Sequence, residues 1–191
     1  MVSNPRVRLT VQDYLDIPEE DENRYELIDG ELYMAPAPSW EHQSNSHNLT
    51  LLLSNFVSAG NLGVIRYSPL DVYLSDEDVF QPDIVFISNE RLDIIRPDGL
   101  HGAPDLVIEI LSPCTEQRDL TVKRERYEMF NTREYWLANP IAKTITVLRM
   151  QNGTFEQMGV FTEGMILETP LLPGLQVDIS TVFDYYVPQE A

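Results

Sequence analysis

Apolar residues along the chain fall mostly into short runs bounded by Gly, Pro, Asn and Asp, with two longer stretches at helical spacing. Thr10 followed by Val11-Gln12-Asp13-Tyr14-Leu15 reads as an N-cap and a short helix that stops near Pro18. Arg24 to Ile28 and Glu31 to Met34 flank Asp29-Gly30, a hairpin turn signal. Ser39 begins a longer helix to about Val57, with Leu49, Leu52, Leu53 and Phe56 on one face, and Gly60 to Gly63 ends it. Strands are expected at 63–67, 70–74 and 82–87, a turn of helix near Asn89 to Leu92, and a strand at 105–111. Thr115 caps a helix running to about Asn131, whose stripe is Leu120, Lys123, Tyr127 and Phe130. Glu134 to Ala138 and Lys143 to Met150 pair across the Asn139-Pro140 turn. Further strands are expected near Thr154 to Phe161 and Met165 to Glu168, with Ser180 capping a last helix from Thr181 to Tyr186.

This order predicts one α/β (α+β) domain over residues 1–191, with a mixed central sheet and few helices. The hydrophobic share, 43%, is that of a globular chain rather than a disordered one. No run approaches the roughly 20 apolar residues of a membrane span. The polar start, Met1 to Arg6, lacks a signal-peptide pattern, and the single cysteine, Cys114, excludes an intrachain disulfide. A cytoplasmic protein is expected.

Charge narrows the picture. Thirteen basic against thirty-one acidic side chains give −18, which repels phosphate backbones at long range and argues against a general nucleic-acid coating protein. It leaves room for a nuclease, because local cations invert the field inside a cleft. The acidic runs Asp16 to Glu22 and Asp76-Glu77-Asp78 read as solvated loops.

One carboxylate does not fit a solvated role. Glu109 lies between Ile108 and Ile110 in Pro104-Asp105-Leu106-Val107-Ile108-Glu109-Ile110-Leu111-Ser112-Pro113. Ionised glutamate is rarely buried without a partner. Alternation puts Asp105, Val107 and Glu109 on one face. A second apolar run, Gln81-Pro82-Asp83-Ile84-Val85-Phe86-Ile87, opens on Asp83, so two strands are expected to converge on one metal site. Asp105 reads as a strand-end or turn cap. Lys123, strongly hydrated yet on the apolar stripe, either snorkels, pairs with Asp119 four residues before it, or points at Glu109. His42 continues the Leu49 stripe toward a helix N-terminus and is either a structural or a site histidine; His47 and His101 have no comparable placement. Zinc, NTP-loop and dinucleotide motifs are absent, so no nucleotide cofactor is expected.

Together these residues resemble the Uma-two family of putative restriction endonucleases, within the PD-(D/E)XK nucleases. The resemblance spans roughly residues 10 to 185 and rests on Tyr25 to Leu32, His42, the Pro82-Asp83 and Pro104 to Pro113 runs, Asp119, Lys123, Tyr127 and Glu134 to Leu137. It implies a restriction-endonuclease-like mixed β-sheet flanked by helices. It further implies Mg²⁺-dependent hydrolysis of DNA phosphodiester bonds, with Mn²⁺ as substitute. Asp83, Glu109 and the Ile110 carbonyl match the metal ligands, Glu26 a position that extends the metal shell, and His42 a helix-start position. The superfamily lysine normally follows the glutamate by two residues, but Leu111 stands there, and the role is expected to pass to Lys123. A homodimer acting on DNA, without membrane association, is implied. The alternative is a non-catalytic binding or regulatory protein that keeps the nuclease fold. The apolar segments Leu171 to Leu175 and Val182 to Tyr186 are expected to close the core rather than form the interface.

Overall fold

The computed structural model describes residues 7–18 and 23–186. Helix α1 (Val11–Leu15) is opened by Thr10, whose N–H donates to Asp13 Oδ2 at 2.8 Å. Strands β1 (Arg24–Ile28) and β2 (Glu31–Ala35) form the expected hairpin, with Ile28 opposite Glu31. Asp29 and Gly30 both carry positive φ, 51° and 73°, the mirror-image turn whose twist matches the strands.

Helix α2 (Trp40–Gly60) starts as its sequence suggests: Ser39 Oγ accepts from the His42 N–H at 3.2 Å. Asn61, left-handed at φ 48°, ends it within the Gly60 to Gly63 segment that the sequence marks. Asn45, Leu49, Leu53 and Val57 are its buried residues.

Strands β3 (Gly63–Tyr67), β4 (Val72–Ser75), β5 (Asp78–Phe80) and β6 (Ile84–Ser88) follow. A 3₁₀ turn (Asn89–Ile94) leads into β7 (Ile95–Arg96), β8 (Gly99–His101) and β9 (Leu106–Ile110). Strands β5, β7 and β8 have two or three residues each, too few for alternation to reveal them. The helix expected over Thr115 to Asn131 is three pieces: α3 (Glu116–Arg118), a π-wound turn (Asp119–Lys123) and α4 (Arg124–Met129).

The remainder is β10 (Glu134–Asn139), β11 (Thr144–Gln151), β12 (Thr154–Thr162), β13 (Ile166–Leu167), β14 (Val177–Asp178) and α5 (Ile179–Val182). Asp178, not Ser180, caps α5, accepting the Ser180 N–H at 2.9 Å.

Two six-stranded sheets replace the single sheet expected, ordered β2-β1-β5-β4-β8-β7 and β12-β11-β10-β9-β6-β3; β13 and β14 pair separately. The second sheet is central and mixed: β9 and β10 run parallel, and its other neighbours antiparallel. Its two faces bury different partners, which explains why β9 reads as an apolar run. Leu106, Ile108 and Ile110 face α2 and the C-terminal segment, where Leu172, Leu175, Val182 and Phe183 close the core. Val107 and Leu111 face Ile28, Phe80 and Tyr127, from the first sheet and α4. Glu109 shares this second face.

Asp78 corrects the reading of its acidic run as solvated loop. It is fully buried, accepts from Ser75 Oγ at 2.5 Å and from the Asp29 N–H at 3.0 Å, and forms an ion pair with Arg126. Of the other run, residues 19–22 lie outside the described residues. Asp105 is a cap as expected: it accepts the Ser88 N–H at 2.8 Å and faces Arg133 at 3.2 Å.

Candidate active site

Antiparallel pairing brings the two strand carboxylates together. Ile84 of β6 lies opposite Ile108 of β9, so the start of one strand meets the end of the other. Asp83, just ahead of β6, accepts the Ile110 N–H on Oδ2 at 2.7 Å. His42, in the first turn of α2, sets Nε2 3.1 Å from the same oxygen, while its Nδ1 is buried and has no hydrogen-bond partner.

The Gln81-Pro82-Asp83 segment also carries the chain from the first sheet to the second. Gln81 donates its N–H to Glu26 Oε1 at 2.8 Å, which joins β1 to the site. Lys123 Nζ sits 2.8 Å from Glu26 Oε1, 3.1 Å from Glu109 Oε1 and 3.4 Å from Asp119 Oδ1. Lys123 is 4% exposed, so neither a solvent-directed head nor a lone Asp119 pair describes it.

The stripe of the third helix differs from the one expected. Asp119, Lys123 and Tyr127 are buried, whereas Leu120 is exposed and Phe130 is only half-buried under the Arg126 guanidinium. The π-wound turn, which rotates side chains relative to α spacing, accompanies that polar inner face.

Burial and charge fix the electrostatics. Burial raises the Glu109 carboxyl well above its usual range; Lys123 opposes this, and Asp119, Asp83 and Glu26 add to it. Burial raises Asp119 in the same way, again against Lys123. Burial alone pulls Lys123 down, yet Glu109, Glu26 and Asp119 together hold it well above the ordinary lysine value. These neighbours favour the ammonium form of Lys123 in its buried, acidic setting.

All five sequence-predicted side chains, Glu26, His42, Asp83, Glu109 and Lys123, line one cleft of about 550 Å³, and so does Ile110. Sequence reasoning missed Arg118, whose Nη1 lies 3.6 Å from Glu26 Oε2 while its guanidinium stacks 4.3 Å from the Tyr33 ring centre. It also missed the Gln81 amide. The only signal for Arg118 was its position five residues before Lys123, which regular α-helical spacing puts on another face.

Among the described residues, no group of three or more His, Cys, Asp and Glu is arranged as a metal site. The donor set nevertheless suits a hard divalent cation. Four carboxylates (Glu26, Asp83, Glu109, Asp119) gather with three cationic side chains, Lys123, Arg24 and Arg118, so carboxylate oxygens are the main donors for a cation here. Mg²⁺ takes oxygen ligands and keeps several waters, so few protein ligands are needed.

Residues 11–180 match the Uma2 family model, described as putative restriction endonuclease. The chain belongs to the Uma2 family. The match covers every candidate residue of the cleft. Among solved structures, this Uma2 chain resembles a putative nuclease belonging to DUF820 from Anabaena variabilis. The two are 25% identical with a TM-score of 0.77, over 92% of this chain and 97% of that one. No curated protein matches the chain. The likeness in fold and family identifies a restriction-endonuclease-like fold of nuclease type.

Proposed function

We propose that the protein is a Mg²⁺-dependent endonuclease that hydrolyses phosphodiester bonds of DNA. One observation carries the reading: Asp83 and Glu109, at facing ends of antiparallel strands, share a cleft with Lys123, which bonds Glu109 from the following helix. The DNA substrate and the restriction-type activity come from the description of the family, and the nuclease class also from the Anabaena neighbour.

Asp83, Glu109 and the Ile110 carbonyl would hold the cation, with Glu26 at its margin. When bound, Mg²⁺ supplies charge to the phosphate and acidifies a water at neutral pH. The protein's own groups prepare that step. The Ile110 N–H and His42 hold Asp83 in one orientation. Three carboxylates favour the ammonium form of Lys123, whose charge would orient the attacking water or stabilise charge developing on the phosphate oxygens. Lys123 thus takes the part that Leu111, packed in the core, cannot.

A homodimer, by analogy with nucleases that cut two strands, would supply one such cleft per strand; the mass in solution tests this. A second reading is a non-catalytic nuclease-fold binding protein. The −18 charge favours it, as does the Lys123 ammonium, which already compensates Glu109 and Glu26. Cleavage of plasmid and single-stranded DNA with Mg²⁺ or Mn²⁺ decides between them. The endonuclease reading expects cleavage by wild type and its loss in Glu109→Ala; equal behaviour of the two proteins would sink it.

A further inference from the structure

The carboxylate cleft adjoins a second cleft of about 470 Å³, and the two share Pro69 and Gln81. Arg66 and Arg96 line the second cleft, and Arg24 lines the first. Their charge state of pairing is unusual for this chain. With thirteen Lys and Arg against thirty-one Asp and Glu, most cations find a carboxylate. Among the described residues, Arg24, Arg66, Arg96 and Arg124 are the four that do not. Three of these four line the two adjoining clefts; Arg124 lines a separate one.

Their hydrogen bonds leave the charge uncompensated. Arg66 donates to the Ile65 carbonyl at 2.7 Å, and Arg96 to the carbonyls of Asp93 and Ile95. Arg24 donates to Ser68 Oγ at 3.3 Å and the Pro36 carbonyl at 3.4 Å, beside the Pro69 junction. The second cleft also contains two acids, each turned to other partners. Asp71 accepts from Tyr14 Oη at 3.0 Å, Tyr73 Oη at 3.2 Å and Gln81 Nε2 at 2.8 Å. Asp98 faces His101 Nε2 at 3.1 Å.

A guanidinium with no carboxylate partner keeps its planar fork of donors for a phosphate. In a molecule whose overall field repels nucleic acid, two such cations in the cleft next to the carboxylates supply the local positive charge that a backbone needs there. We propose that Arg66 and Arg96 form a subsite for a backbone phosphate next to the one held at the carboxylates, with Arg24 at the junction. This rests on the nuclease reading and names the part of the substrate that the second cleft holds: the strand flanking the cut.

The test is fluorescence anisotropy of a labelled DNA oligonucleotide, single-stranded and duplex, with Ca²⁺ in place of Mg²⁺ and salt varied. Wild type is compared with Arg66→Ala/Arg96→Ala and with Arg124→Ala, which removes an unpaired arginine elsewhere. Arg66 and Arg96 are exposed, so the double variant should melt like wild type. It should bind at least about tenfold more weakly, and its salt slope should fall by about 0.9 on duplex and about 0.7 on single-stranded DNA. Arg124→Ala should keep wild-type affinity and slope. Equal binding by wild type and the double variant, or an equal loss in Arg124→Ala, overturns the subsite alone. Absence of both binding and cleavage of any nucleic acid by wild type overturns the nuclease reading, and the subsite with it.

Discussion

Lys123 Nζ donates to Glu109 Oε1 at 3.1 Å, linking the π-wound turn to the strand that precedes it. Glu26 and Asp119 close on the same ammonium. The lysine is the only cation bonded to Glu109 among the described residues, so its removal leaves buried carboxylates with too little compensation. Lys123→Met should lower stability by ~3–5 kcal/mol at neutral pH. Urea unfolding measures this; an unchanged midpoint would show that the ion cluster is dispensable to the fold.

The raised Glu109 carboxyl sets a pH dependence. In the unfolded chain a glutamate ionises near pH ~4.3. In the fold it holds its proton to higher pH, so the unfolded state is favoured as pH rises through that window. Wild type therefore loses stability relative to Glu109→Gln between about pH 4 and the folded value. The melting temperature of Glu109→Gln minus that of wild type should grow from pH 4 to pH 8. A constant difference would contradict the burial of an ionisable Glu109. Lys123, also raised, acts at the other end: its contribution is intact below the unfolded lysine value, near ~10.4, and is lost above it.

A bound cation should stabilise the protein through Asp83. At about 100 times its Kd, Mn²⁺ should add ~2.7 kcal/mol to wild-type stability. Asp83→Ala leaves the Ile110 N–H unpaired, at a cost of ~1–3 kcal/mol. It should also lose the Mn²⁺ effect and the calorimetric binding signal. Retention of full binding by this variant would remove Asp83 from the cation site.

Asp78 provides a contrast outside the cleft. It is buried against Arg126, so Asp78→Ala strands a cation and should cost ~3–5 kcal/mol. A melt near that of wild type would mean that Arg126 finds Asp29, which its Nη1 already approaches at 3.3 Å, sufficient.

Much of the site was readable because its residues break the local pattern. Glu109 interrupts an apolar strand, and Lys123 interrupts a helical stripe. Asp83 follows a proline at a strand start, where its carboxylate is free to turn inward. Other features left no such mark. Arg118 comes to Glu26 beside a turn that is not α-wound, so regular spacing hides it, and the same turn replaces Leu120 with Asp119 on the inner face. Asp78 looks like one of three loop acids until the short strand β5 turns it inward. The first sheet, β2-β1-β5-β4-β8-β7, was invisible as a separate layer because β5, β7 and β8 are shorter than the alternation that signals a strand.

Metal-dependent cleavage of supercoiled plasmid separates a working nuclease from an inert fold, with wild type beside Asp83→Asn, Glu109→Gln and Lys123→Met. Wild type should give nicked and linear DNA with Mg²⁺ and none with chelator, and each folded variant should lose about a hundredfold or more. Cleavage that survives unchanged in all three, or depends on no metal, would contradict the proposed site.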